Sequence, residues 1–314
     1  MLYYTYKYEE RERIDDAFVF EPRFGYIGIP GNMTKKGIPM RTLYVSDLDG
    51  TLLRSDETTS SFTNHVINKL VSQGMLFSYA TARSYVTASK VTRGLSARIP
   101  VIVYNGAFVI DNETGEILLS NFFGEDVKDL LCDLLQHEIF PIVYAFVDGK
   151  EKFSYLDEKC TAGMRVYINS RHGDHRDHPV ECAEDLFQGE IFYITCIDDK
   201  GKLEPLYEKY KSKYHAVFQR DIYTKTQWLE FMPQQASKSN AIRQLKELLA
   251  CDRLVVFGDG KNDIDMFGLA DEGYAMRNAV DELKHAATAV IKSNDEDGVA
   301  DWLLNHVSEK SEHF

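Results

Sequence analysis

The chain has 314 residues, 44% of them hydrophobic and 27% charged, with a net charge of −13. That length suggests about two domains of ~100–200 residues each, with an ordinary globular composition. The acid surplus argues against a nucleic-acid partner, which calls for a basic face, and no run approaches the ~20 apolar residues of a membrane span.

Residues 1–40 differ from the rest of the chain: tyrosines alternate with charges, and FVFEPRFGYIGIPG leads to Met40. Either translation begins at Met33 or Met40, or this is a real extension that packs on the core. Its aromatic and β-branched content favours the extension. From Leu43 the pattern is β-α-β. Leu43–Ser46 reads as a strand ending at Asp47, and Ser60–Gln73 as a helix with Phe62, Val66, Ile67 and Leu70 on one face. Gly74 serves as its stop. Met75–Tyr79 and Pro100–Tyr104 read as further strands. The pattern resumes with a helix over Ala241–Leu249 and strands at Leu254–Phe257, Gly273–Met276 and Ala289–Ile291.

Near-continuous apolar strands alternating with helices indicate an α/β fold with a Rossmann-like parallel sheet covered on both faces. Residues 123–236 interrupt it with an alternation of their own: a helix over Val127–His137, and strands over Phe140–Phe146, Phe187–Ile197 and Trp228–Phe231. This predicts a core from 41–122 and 237–314 with an inserted α/β domain over 123–236. In parallel sheets ligands bind outside the carboxyl ends of the strands. Asp47, Thr81, Asn105 and Asp259 each follow such an end, so distant polar residues should converge on one crevice.

The chemistry starts at Asp47-Leu48-Asp49-Gly50-Thr51. Two acids two residues apart share a site if the chain turns, and Gly50 permits the turn. A hard divalent cation would relieve their repulsion. One carboxylate can then attack phosphorus, while the other gives a proton to the leaving oxygen and later activates water. Gly258-Asp259-Gly260-Lys261-Asn262-Asp263 adds acids at another strand end, with Asp259 suited to ligate Mg²⁺ and Asp263 to support that shell. Lys238 opens the returning helix and would offset charge on phosphoryl oxygens. Thr81 offers a hydroxyl, and the backbone amides beside it, including that of Ala82, form a natural phosphate cradle. Each piece alone reads most simply as a turn or a surface charge. All of them in order, at strand ends, do not.

DLDGTLL, ATAR, Lys238 in QQASKSNA, and GDGKND together resemble the four motifs of the haloacid dehalogenase superfamily. Within it the chain is most similar to the Cof-type phosphatases of subfamily IIB, which carry a large α/β (type C2) cap between the second and third motifs. YNGA at 104–107, MRNAVDELK at 276–284 and SNDEDGVA at 293–300 extend the resemblance over residues 41–314. It implies that Asp47 is nucleophile and magnesium ligand, and that Asp49 is general acid/base with its carbonyl on the metal. It makes Asp259 the third protein ligand and Asp263 an outer partner. Leu48 (through its amide), Thr81, Lys238 and Asn262 would hold the phosphate. The chain departs from the family at Ser239 and Arg277, where relatives often carry Gly. Ser239 could cap a helix, and Arg277 either reaches the site mouth or lies on the surface.

The expected function is Mg²⁺-dependent hydrolysis of a small phosphorylated metabolite, such as a sugar phosphate or phosphorylated cofactor, through an aspartyl phosphate. A phosphosugar mutase uses the same motifs. A dehalogenase does not need Asp49, and a phospho-accepting receiver lacks the cap and the DxDGT order. A metabolite sensor without turnover is disfavoured by the intact acid pair. Five cysteines, none in a CxxC pair, suggest reduced thiols in a cytoplasmic protein. The N-terminus lacks the apolar stretch of a signal peptide. His172, His175 and His178 read as a solvated loop rather than a metal site, and Arg165, Arg171 and Arg176 as solvated surface. Oligomeric state is not legible.

Overall fold

The computed structural model describes residues 40–96, 100–220 and 226–307. The expectations for the N-terminal extension fall outside the described residues. The chain enters on β1 (Thr42–Ser46), turns through Leu48–Leu52, and continues into α1 (Ser61–Ser72), β2 (Leu76–Tyr79) and α2 (Tyr85–Val91). Ser60 caps α1 by accepting from the Thr63 amide at 2.9 Å. Val66, Ile67 and Leu70 are buried as their spacing requires. Phe62, expected beside them, is 41% exposed, and Thr63 takes the buried place in that first turn.

The strand near Pro100 departs from expectation. β3 (Val101–Val103) does not join the parallel sheet as a full member. It pairs antiparallel with β4 (Phe108–Ile110), which pairs with β5 (Ile117–Ser120). A single parallel bridge, Ala80 to Ile102, ties it to the end of β2. The cause is local. The chain reverses at Tyr104-Asn105-Gly106, where all three residues have positive φ (51°, 52° and 96°), and it runs straight back alongside itself. Gly106 is obligatory there, since a Cβ would lie 2.3 Å from the Ser237 carbonyl oxygen.

The middle of the chain forms α3 (Val127–Gln136), β6 (Ile142–Val147), β7 (Lys150–Leu156), α4 (Ala162–Asn169), β8 (Asp177–Val180), β9 (Glu190–Asp198), α5 (Lys200–Tyr210), β10 (His215–Arg220) and β11 (Gln227–Met232). Their sheet has the order β10-β11-β9-β6-β7-β8, antiparallel except for β7 with β8. Side chains alternate across it. Ile194, Cys196, Leu229 and Phe231 pack with Leu130, Leu131 and Leu134 of α3 and Leu203 and Leu206 of α5. Tyr144, Phe153, Tyr193 and Met232 belong instead to the large apolar cluster shared with the parallel sheet. Ring contacts seal that junction: Phe192 meets Phe108 at 4.7 Å and Tyr104 at 5.0 Å between centroids.

The chain then returns through α6 (Lys238–Leu248), β12 (Arg253–Gly258), α7 (Ile264–Leu269), β13 (Glu272–Met276), α8 (Asp281–Ala286), β14 (Ala289–Ile291) and α9 (Gly298–Val307). The parallel sheet has the order β14-β13-β12-β1-β2. Leu43, Val45, Leu254, Val255, Val256 and Phe257 are fully buried in its centre. This is a Rossmann-like parallel core with an inserted α/β cap. β1 and β12 are sheet neighbours although 208 residues separate Thr51 from Asp259, so their two carboxyl ends open side by side. Among the described residues no helix is long and apolar enough to cross a membrane.

Candidate active site

Asp47 leaves the end of β1 with its amide donating to the Phe257 carbonyl of β12 at 2.9 Å. Only 6% exposed, it lies beside Asp259 and Asp263, and one carboxylate oxygen from each of the three falls within 4.8 Å of the others. Gly50 makes this proximity possible. It turns with φ +77°, and a Cβ there would lie 2.3 Å from Asp259 Oδ2. Thr51 Oγ1 donates to Asp259 Oδ1 at 2.8 Å. Asp263 Oδ2 accepts from the Asp259 and Gly260 amides at 3.0 and 2.9 Å and so braces the loop.

Lys238 sits 3% exposed at the first position of α6, whose cap is Ser237, accepting from the Asn240 amide at 3.1 Å. Ser239, a possible cap by sequence, instead lies 3.1 Å from the Ser237 hydroxyl. Lys238 Nζ donates to Asp47 Oδ1 at 2.5 Å and to Asp263 Oδ1 at 2.8 Å. Burial opposes its charge, but Asp263 and Asp47 outweigh burial and hold its pKa above the ordinary lysine range. Burial pushes Asp47 well above the usual carboxylate range. Lys238 pulls it back, while Asp263, Asp259 and Asp49 add to the rise. Burial, with Asp263 next, pushes Asp259 up to about 6. Three crowded, dehydrated acids with oxygen donors alone suit a hard divalent cation, whose charge would reverse these shifts.

Asp49 is not part of this trio; it is half exposed and pairs with Arg83. Thr81 is fully buried. Its own amide donates to Ile102 O at 3.0 Å across the bridge to β3. Its hydroxyl accepts from the Arg83 amide at 3.1 Å. Ala82 stands exposed between them, Leu48 is buried, and Asn262 is exposed beside Gly260.

Several supporting residues escaped sequence reasoning. Asn278 Nδ2 donates to Gly50 O at 2.8 Å, and Asn294 Nδ2 to Leu53 O at 3.0 Å. Arg54 pairs with Asp297, and Asp295 accepts from the Ser55 amide at 2.9 Å. The MRNA and SNDEDG segments therefore buttress the DLDGTLL turn; their signal was the motif itself, without a role attached. Arg277 lies 63% exposed and pairs with Glu296 at 2.8 Å, which places it at the surface.

Among the cap arginines, Arg165 is exposed against Asp157, and Arg171 lies over the Tyr167 ring at 3.3 Å. Arg176 corrects the sequence reading. It is 2% exposed, held by Asp174 at 2.6 Å, Glu151 at 2.7 Å and the Tyr104 hydroxyl at 2.8 Å. Complementary acids make its burial tolerable. The RHGDHRDHP stretch also ends in strand β8, with His178 Nδ1 at 2.9 Å from Ser154 Oγ. Among the described residues its histidines form no metal-capable group; Asp47, Asp259 and Asp263 do.

Residues 44–303 match the family model for haloacid dehalogenase-like hydrolases. A 5-amino-6-(5-phospho-D-ribitylamino)uracil phosphatase of Bacillus subtilis is 28% identical over 85% of this chain and 97% of its own. The crystal structure of TM0651 from Thermotoga maritima superposes with a TM-score of 0.68 at 28% identity, over 85% of this chain and 97% of that one. A haloacid dehalogenase-like hydrolase from Bacteroides thetaiotaomicron gives a TM-score of 0.69 at 24% identity, over 84% of this chain and 99% of that one.

Proposed function

The chain belongs to the haloacid dehalogenase-like hydrolases and is a phosphatase of that family, and from this premise we propose that it hydrolyses small phosphorylated metabolites through an aspartyl phosphate on Asp47, with Mg²⁺ as cofactor. The observation that carries the reading is the contact of one buried lysine, Lys238, with both Asp47 and Asp263 where β1 and β12 end together.

In this cycle an oxygen of Asp47 attacks phosphorus and the ester P–O bond breaks. Asp49 gives its proton to the departing oxygen. It then takes a proton from water, which attacks the aspartyl phosphate, frees inorganic phosphate and restores Asp47. Lys238 stabilises charge on the phosphoryl oxygens, with the Thr81 hydroxyl, the Leu48 and Ala82 amides and Asn262 as further donors. Asp47 and Asp259, with the Asp49 carbonyl, would hold the cation, and Asp263 would orient Asp259 from outside. The cation would supply charge neutralisation among the acids and on the transferring group.

The proposed division places the catalytic core at 41–122 and 237–314 and the cap at 123–236. It is supported by the cap elements running from Val127 to Met232. The Bacillus relative acts on a phosphorylated ribitylamino compound by its name, which fits a small sugar-like or cofactor-like substrate here. Hydrolysis of p-nitrophenyl phosphate with Mg²⁺, followed by a kcat/KM panel of sugar, polyol and cofactor phosphates, tests the proposal. No turnover of any ester by folded protein would overturn it.

A further inference from the structure

One carboxylate beside the catalytic turn is held more firmly than its exposure calls for. The Glu57 side chain is half exposed, yet its backbone is left-handed at φ 59°, a conformation uncommon for a residue other than glycine. Two backbone hydrogen bonds close the loop around it. The Glu57 amide donates to Arg54 O and the Arg54 amide to Thr58 O, both at 2.9 Å. Asp56 Oδ1 accepts from the Thr58 amide at 3.1 Å and from the Thr58 hydroxyl at 2.7 Å. The start of the loop is fastened to the C-terminal segment. Arg54 pairs with Asp297, and the Ser55 hydroxyl donates to Asp295 Oδ2 at 2.7 Å.

This loop brings the Glu57 carboxylate to Arg83. Nη2 of a guanidinium carries two hydrogens. Here Nη2 donates to Asp49 Oδ1 at 2.6 Å and to Glu57 Oε2 at 2.9 Å, while Nε donates to Asp49 Oδ2 at 2.8 Å. The Arg83 main chain is fixed separately. Its amide donates to Thr81 Oγ1 at 3.1 Å, and its carbonyl accepts from the Tyr104 amide at 2.9 Å. An exposed Arg–Asp pair alone is weak, because forming it costs side-chain freedom. A second carboxylate on Nη2 confines the guanidinium to one orientation, and the fork passes that orientation to Asp49. Each Asp49 oxygen keeps a further lone-pair position, so the fork aims the carboxyl without using it up.

We propose that Glu57 is a positioning residue for the reaction: through Arg83 it holds the Asp49 carboxyl in the direction from which its proton reaches the leaving oxygen. This rests on the reading of Asp49 as general acid and deepens it. The effect belongs to protonation of the leaving group, not to binding of the phosphoryl group.

Phenyl phosphate and p-nitrophenyl phosphate share a ring and differ in how much the departing oxygen needs a proton. Their kcat/KM values report the steps up to that departure. Asparagine tolerates a left-handed backbone and is too short to reach Arg83. Glu57→Asn should lower kcat/KM about 10-fold for phenyl phosphate and no more than about 2-fold for p-nitrophenyl phosphate. Glu57→Gln keeps an acceptor oxygen at the same reach and should stay within about 3-fold of wild type on both. In an Asp49→Asn background, Glu57→Asn should have no further effect. Equal losses on the two esters, equal losses in the two backgrounds, or no loss at all would overturn the proposal. If Glu57→Asn does not fold, Glu57→Gly is read in the same way. A folded wild type that turns over neither ester overturns the phosphatase reading itself. Asp49→Asn that costs both esters equally overturns Asp49 as the acid. An ester-dependent loss in Asp49→Asn with Glu57→Asn silent overturns only the role of Glu57.

Discussion

Arg83 grips Asp49 from two nitrogens, Nε at 2.8 Å and Nη2 at 2.6 Å, and reaches Glu57 with Nη2 at 2.9 Å. The fork fixes the direction of a carboxylate that would otherwise rotate freely at a half-exposed position. Lysine cannot reproduce it. Arg83→Lys should therefore lower kcat on p-nitrophenyl phosphate by about 10-fold while KM changes little. Steady-state kinetics check this, and an unchanged kcat would reduce the pair to an ordinary surface contact.

The two acids of the DLDG turn should fail differently. Asp47→Asn removes the attacking oxygen's charge and should abolish detectable turnover. Asp49→Asn removes only proton exchange and should cost about 10²–10⁴-fold. Its loss should be smaller for p-nitrophenyl phosphate, whose leaving group needs little protonation, than for an alkyl phosphate. Equal losses for both esters would count against Asp49 as the acid.

Metal removal should be reversible. Dialysis against EDTA should abolish hydrolysis and added Mg²⁺ should restore it. Because burial raises Asp47 well above the usual range and Asp259 to about 6, binding must displace protons at low pH. Mg²⁺ affinity, read by calorimetry, should thus weaken as pH falls through about 6. Activity that survives thorough chelation would remove the cation from the mechanism.

Glu230 should carry a pH-dependent stability cost. Burial raises its pKa from 4.5 to about 7 in the folded protein. Below about 4.5 it is neutral in both states and costs nothing through this linkage. As pH rises, the unfolded chain ionises first, and the cost grows to its full value above about 7. That value is roughly 3 kcal/mol. Urea denaturation should find Glu230→Gln more stable than wild type at pH 8 and equal to it near pH 4.5.

Arg176 should behave in the opposite sense. Replacing it with Met leaves Asp174 and Glu151 without their buried counter-charge and should cost about 3 kcal/mol. Thermal melting at pH 7 reads the loss. A shift no larger than that of Arg165→Met, at an exposed pair with Asp157, would show that burial adds nothing.

By itself the sequence determined the parallel core and the four strand-end segments, because apolar runs of one period announce buried strands and DLDGTLL, GDGKND and Lys238 keep a fixed order along the chain. It also marked Gly50 as a residue that permits a turn there. The tertiary structure alone decided what those residues touch. Lys238 meets Asp47 across 191 residues of separation, a contact created where α6 begins beside the end of β1, which no local pattern encodes. Tertiary structure also took β3 into a hairpin, since a reversal at Tyr104–Gly106 outweighs strand propensity. It buried Arg176, whose polar neighbours in sequence look like a solvated loop until Glu151 and Tyr104 close over it. Asp49 received its Arg83 partner and Glu230 its isolation in the same way. Propensity and period act over a few residues, whereas charge pairing and desolvation depend on whatever the fold brings within a few ångströms.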